Sequence, residues 1–105
     1  MITLYQLERC PWCAAVRQGM RNVGIEEYHI VNVPRDRDGR DVLEELTGQR
    51  IAPVMVDDDM VVWDSRRIVR YVYETYGGQE RARSIDELAN APGGERRLSD
   101  PLPRA

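Results

Sequence analysis

Hydrophobic positions change period several times along this 105-residue chain, and each change marks an element. Ile2 to Leu7 alternates and carries β-branched and aromatic residues, the pattern of a strand. Pro11 suits the first turn of a helix, where its missing N–H costs nothing. Cys13, Val16, Met20 and Val23 then recur at helical spacing, with Arg17 and Arg21 on other faces, and Gly24 stops the helix. Tyr28 to Val33 is a second strand, apolar enough for a sheet interior. After a charged loop from Pro34 to Gly39, Asp38 caps a short helix with apolar positions Val42, Leu43 and Leu46, ended by Thr47-Gly48. Pro53 to Val56 and Met60 to Trp63 read as strands around Asp57-Asp58-Asp59, a turn-tolerant triplet that predicts a hairpin. A third helix, capped by Asp64 or Ser65, buries Ile68, Val69, Val72 and Tyr76 and ends at Gly77-Gly78.

The predicted order is β-α-β-α-β-β-α, an α/β protein with a mixed four-stranded sheet and helices packed on it. The first two strands are joined through a helix, so they should be parallel with a right-handed crossover. Residues 1–78 form one domain, and 79–105 read as a weakly ordered C-terminal tail. Ser84 to Ala91 could add one or two helical turns there, but Pro92-Gly93-Gly94 and Pro101-Leu102-Pro103 are poor core material.

Composition narrows the function classes. Apolar residues make up 42% and charged residues 31% of the chain, the balance of a globular protein with one core. No apolar run approaches the roughly 18 residues of a membrane span. Met1 to Tyr5 lacks the zones of a secretion signal, so a cytoplasmic protein is expected. The net charge of −3 argues against a nucleic-acid partner, which would call for a basic stripe. All 15 basic residues are Arg, so any anion held by a cationic side chain is held by a guanidinium.

The two cysteines form one unit, Cys10-Pro11-Trp12-Cys13. Together with the single His29 they fall short of the four ligands of a structural zinc site, and no metal is expected. Asp57-Asp58-Asp59 lacks the spacing of a calcium loop. A close cysteine pair can be inert core thiols, but here Cys10 stands where strand gives way to helix. There the unpaired N–H groups and the positive end of the helix dipole stabilise a thiolate and lower its pKa. Cys13, three residues on, lies on the apolar face with Val16 and Met20. It is the more buried thiol, placed to attack a mixed disulfide on Cys10. Trp12 adds an apolar lip or serves simply as packing.

Tyr5 to Cys13 resembles the start of a glutaredoxin. Thr47-Gly48-Gln49-Arg50-Ile51-Ala52-Pro53-Val54 resembles the segment that precedes a cis proline in those proteins, which have a thioredoxin-like fold. Met60 to Val72, with Asp64-Ser65 then Ile68 and Tyr71-Val72, is similar to the glutathione-transferase-like glutaredoxins and to the amino-terminal domain of glutathione transferases. The resemblance covers residues 1–77 and implies a dithiol oxidoreductase in which Cys10 attacks and Cys13 resolves. It further implies a site for glutathione, or a related low-molecular-weight thiol, beside Cys10. A cis Pro53 would expose the N–H and C=O of Ala52 to the peptide backbone of that thiol. Asp64 would take the γ-glutamyl ammonium and Ser65 its carboxylate, besides or instead of plain helix capping. The lysine that many glutaredoxins carry three residues before the first cysteine is Leu7 here, leaving Arg9, Gln49 or Arg50 to take the glycyl carboxylate.

A monomer is expected, and the resemblance implies disulfide-containing or glutathionylated proteins as its partners. Three other activities compete with it. Thioredoxin reductase could supply the electrons. Two subunits could hold an iron–sulfur cluster through Cys10, which Pro11 disfavours by stiffening the loop. Conjugation of glutathione to electrophiles would call for a helical domain that this chain is too short to form.

Overall fold

The computed structural model describes residues 1–77 and 90–102. The chain begins with strand β1, Ile2–Gln6, and helix α1, Pro11–Asn22, and returns in strand β2, His29–Asn32. A 3-10 turn, Arg37–Gly39, leads into helix α2, Asp41–Thr47. The hairpin strands β3, Val54–Asp57, and β4, Met60–Trp63, are followed by helix α3, Ser65–Val72. Tyr73–Gly77 continues α3 as a π-helical turn, and strand β5, Gly94–Arg97, completes the order. Most of Ser84 to Ala91, where helical turns were expected, lies outside the described residues.

The sheet runs β2-β1-β3-β4-β5, with β1 and β2 parallel and every other neighbour antiparallel. Strand alternation divides the interior in two. Ile2, Leu4, Met55 and Val62 point to one face, where they pack with Val16 and Met20 of α1 and Ile68 and Val72 of α3. Val54 and Val61 point to the other face and meet Leu43 of α2, with Tyr5, Ala52 and Trp63 packed at the edge. Each fully buried Leu, Ile, Met or Val contributes about 1.5–3 kcal/mol. Both faces of the central strands are therefore covered, and the ends of β1, β3 and β4 are held rigidly where the loops emerge.

Four expectations change. The sheet has five strands, not four, because Gly94–Arg97 pairs along β4 within the segment expected to be a loose tail. The second strand is an edge, not an interior strand, and all four of its residues are exposed: β3 occupies the other side of β1. Asp38 does not cap α2; it sits inside the 3-10 turn, donating its N–H to the Asp36 carboxylate at 3.1 Å, while Arg40 stands at the N-cap and Val42 is exposed. Tyr76 is exposed and Tyr73 is buried in its place, because the helix widens into a π turn after Val72 and shifts the periodicity.

Candidate functional site

Cys10 is the N-cap of α1, in extended conformation with φ −95° and ψ 119°, and Pro11 is the first helical residue. The Cys10 carbonyl accepts from the Ala14 N–H at 3.0 Å, which starts the helical ladder. Pro11 has no N–H, so the donors left without an intrahelical partner at this end are those of Trp12 and Cys13. Cys10 is partly exposed and Cys13 fully buried, and both are free thiols. Burial pushes the Cys13 thiol up to about 11; a backbone hydrogen bond from Leu7 opposes this and a hydrogen bond to the Cys10 sulfur adds to it. Arg17, one helical turn beyond Cys13, donates to the Gln6 side-chain oxygen, and Gln6 donates to Asn32 at 3.0 Å. This buried amide fixes a guanidinium on the Cys13 side of the helix.

Trp12, which stands between the two cysteines in the chain, lines a cleft of about 300 Å³ with Ile51, Ala52, Pro53, Asp64, Ser65, Arg66 and Pro92. The Ala52–Pro53 peptide is cis, as the resemblance implies. A second hollow of about 230 Å³, lined by Thr47, Gln49, Ile51, Trp63, Asp64 and Gly93, shares Ile51 and Asp64 with the first. Trp12 is largely exposed and forms the lip on the thiol side. Asp64 is the N-cap of α3, accepting from the Arg66 N–H at 3.1 Å, with φ at +79°. Such a conformation costs an L-residue about 1–3 kcal/mol and is held only by well-packed surroundings. The cleft thus offers one carboxylate, one hydroxyl, the start of a helix and a guanidinium within reach of a small zwitterion.

The structure brings Trp12, Ala52, Pro53, Asp64 and Ser65 together and leaves two other candidates aside. Arg50 pairs with Asp41 at 2.7 Å and Glu44 at 2.6 Å and donates to the carbonyls of Arg37 and Asp38. With Asp41, Glu44, Glu45 and Leu102 it lines a separate hollow. Arg9 is exposed at φ +59° and is not among the residues lining either cleft. Of the three candidates for a glycyl carboxylate, Gln49 alone lines one of these two hollows, the smaller.

Arg66 and the pair Pro92-Gly93 were missed. Arg66 carries a local signal, since it follows Asp64-Ser65 at a helix start, but an arginine on a helix usually marks a solvated face. Pro92-Gly93 carries no local signal for a site. Among the described residues, no group of three or more His, Cys, Asp or Glu is placed to hold a metal ion, and no helix is long and apolar enough to cross a membrane.

Strand order, the two helices on one face, a cysteine at the start of α1 and a cis proline just before β3 define a thioredoxin-like protein. Residues 4–80 match the family described as the glutathione S-transferase N-terminal domain, and the chain belongs to that family. Glutathione S-transferase 1 of Manduca sexta is 31% identical over 94 residues, which are 87% of this chain and 43% of that protein. Glutathione S-transferase D7 of Anopheles gambiae is 32% identical over 89 residues, 84% of this chain and 41% of that one. Glutathione Transferase E6 of Drosophila melanogaster superposes with a TM-score of 0.69 at 29% identity, over 87% of this chain and 42% of that structure. The chain therefore spans less than half the length of the relatives it matches.

Proposed function

We propose that this protein is a glutathione-dependent thiol–disulfide oxidoreductase, a dithiol glutaredoxin built on the transferase-type domain. The observation that carries this reading is the asymmetry of the cysteine pair: one sulfur partly exposed at a helix start, its neighbour one turn in, buried and hydrogen-bonded to it. In the first step the Cys10 thiolate attacks a disulfide of a protein or a glutathionylated cysteine. A Cys10–sulfur bond forms, the old S–S bond breaks, and one sulfur leaves as a thiolate that takes a proton from water. Cys13 then loses its proton and attacks the Cys10 sulfur. The ring disulfide forms and the second sulfur departs reduced. Two molecules of glutathione, or of a related low-molecular-weight thiol, reduce the ring and leave as their own disulfide.

The cleft supports binding of that thiol. Ala52 would pair with its peptide backbone beside Pro53, Trp12 would cover its apolar part, and Asp64 would take the γ-glutamyl ammonium. Ser65 and Arg66 would take the α-carboxylate, Arg66 with two parallel hydrogen bonds. Cys10→Ser is expected to abolish all exchange. Cys13→Ser keeps removal of glutathione from a mixed disulfide, which needs one thiol, and loses reduction of a protein disulfide. Assay of both variants on a glutathionylated peptide and on a protein disulfide checks this; an active Cys10→Ser variant refutes it.

The family match favours a second reading, conjugation of glutathione to an electrophile. Formation of a thioether adduct with a chlorodinitrobenzene at a rate unaffected by Cys10→Ser and Cys13→Ser would support it over the first.

A further inference from the structure

Beyond residue 80, where the family match ends, the chain returns to the cleft. Pro92 lines the larger hollow and Gly93 the smaller one. Gly93, at φ +89°, lies so close to the end of β4 that a β-carbon there would sit 2.1 Å from the Trp63 carbonyl oxygen and 2.4 Å from the Asp64 β-carbon. A β-carbon on Gly94 would meet the Trp63 ring at 2.5 Å. Bare backbone at Gly93 fits against Trp63 and against Asp64, whose φ is +79°, and bare backbone at Gly94 fits against the Trp63 ring.

The strand that follows is tied to both lips of the cleft. Gly94 pairs with Trp63 in register, and Glu95 meets Arg67 of α3 at 3.2 Å, which fixes the Asp64 side. Arg96 donates to the Leu46 carbonyl at 2.9 Å, near the C-terminal end of α2, and so holds the element that leads to Thr47, Gln49 and the cis proline.

We propose that Pro92–Arg97 is a specificity element of the thiol site, holding Asp64 in its positive-φ conformation so that its carboxylate meets the ammonium of a γ-glutamyl thiol. The inference rests on the small-thiol reading given above. Gly94 and Glu95 act through Trp63, Asp64 and Arg67, as positioning residues. They take no part in the chemistry of Cys10 and Cys13, which lie at the start of α1.

Calorimetric titration with S-methylglutathione, which binds without exchanging, separates the two claims. Gly94→Ala and Glu95→Gln should each weaken its binding, Gly94→Ala by about tenfold, the equivalent of ~1.4 kcal/mol. Reduction of the Cys10–Cys13 disulfide by dithiothreitol should keep its parental rate in both. If Gly94→Ala fails to fold, Glu95→Gln decides alone. Parental affinity in the folded variants overturns the role of Pro92–Arg97 and leaves the thiol site standing. A matching loss of the dithiothreitol rate overturns it too, because the strand then serves only as general scaffold. A parent protein that does not bind S-methylglutathione refutes the small-thiol reading, and the inference falls with it.

Discussion

Arg40 is 6% exposed, and its guanidinium donates to the main-chain oxygens of Pro34 at 2.8 Å, Arg35 at 2.7 Å and Arg50 at 3.0 Å. One planar cation thus ties the loop after β2 to the loop that carries the cis proline. Its five donors point in fixed directions, which an ammonium cannot reproduce. Arg40→Met leaves three carbonyls without this partner and should destabilise the protein by about 2–4 kcal/mol. Arg40→Lys should recover only part of the loss. Urea denaturation of the two variants checks both expectations. Nothing in the local sequence distinguishes Arg40 from the fourteen other arginines. Its burial follows from loops that meet only in the folded chain.

At the scale of elements, the crossing of α1 and α3 depends on Gly19. A β-carbon there would lie 3.3 Å from a Val69 methyl, tight enough that the neighbour must yield slightly. Gly19→Leu should therefore force the helices apart and cost about 1–3 kcal/mol by overpacking. Gly19→Ala should cost little, because the helix gains about as much in propensity, roughly 1 kcal/mol, as the contact loses. Thermal denaturation of the pair checks the size dependence; equal midpoints would contradict it. The other fixed point is Asp57, which lies at the end of β3 and is buried, not part of the exposed turn. Its carboxylate accepts from Tyr71 at 2.8 Å and Tyr76 at 2.5 Å, fastening α3 and the π turn to the sheet. The turn itself is formed by Asp58 and Asp59, with Asp58 at φ +51°.

For the molecule as a whole, the Cys13 thiol and the two phenols that donate to Asp57 make stability depend on alkali. Burial holds the Cys13 thiol up to about 11. Burial, reinforced by the hydrogen bond to Asp57, holds the Tyr76 phenol up to about 12 and raises that of Tyr71 as well. Each group keeps its proton in the folded chain at a pH where the unfolded chain has released it. The stabilisation is complete below the unfolded value, near 9 for the thiol, and is lost as pH rises through the folded one. For Cys13 alone the slope is at most about 1.4 kcal/mol per pH unit. The urea midpoint of the reduced protein should be steady to about pH 8.5 and then fall through pH 10 and 11, more gently in Cys13→Ala. A flat midpoint over that range would contradict this.

Local pattern was enough for β1, α1, the β3–β4 hairpin and the start of α3, because each shows its own period and its own stop or cap: Pro11, Gly24, Asp64. The same locality made the placement of Cys10 and Asp64 at helix starts readable. Tertiary structure decided what depends on distant neighbours. Partner strands made β2 an edge and left Ile30 and Val31 exposed. Carboxylates on α2 drew Arg50 away from the cleft. Two glycines that signal a break in a one-dimensional reading leave room for the close approach to Trp63 that a β-carbon would block, and the second of them begins the fifth strand beside the site. Periodicity and capping are properties of a few consecutive residues; strand order, burial of a charge and a close backbone approach are properties of pairs that only the folded chain brings together.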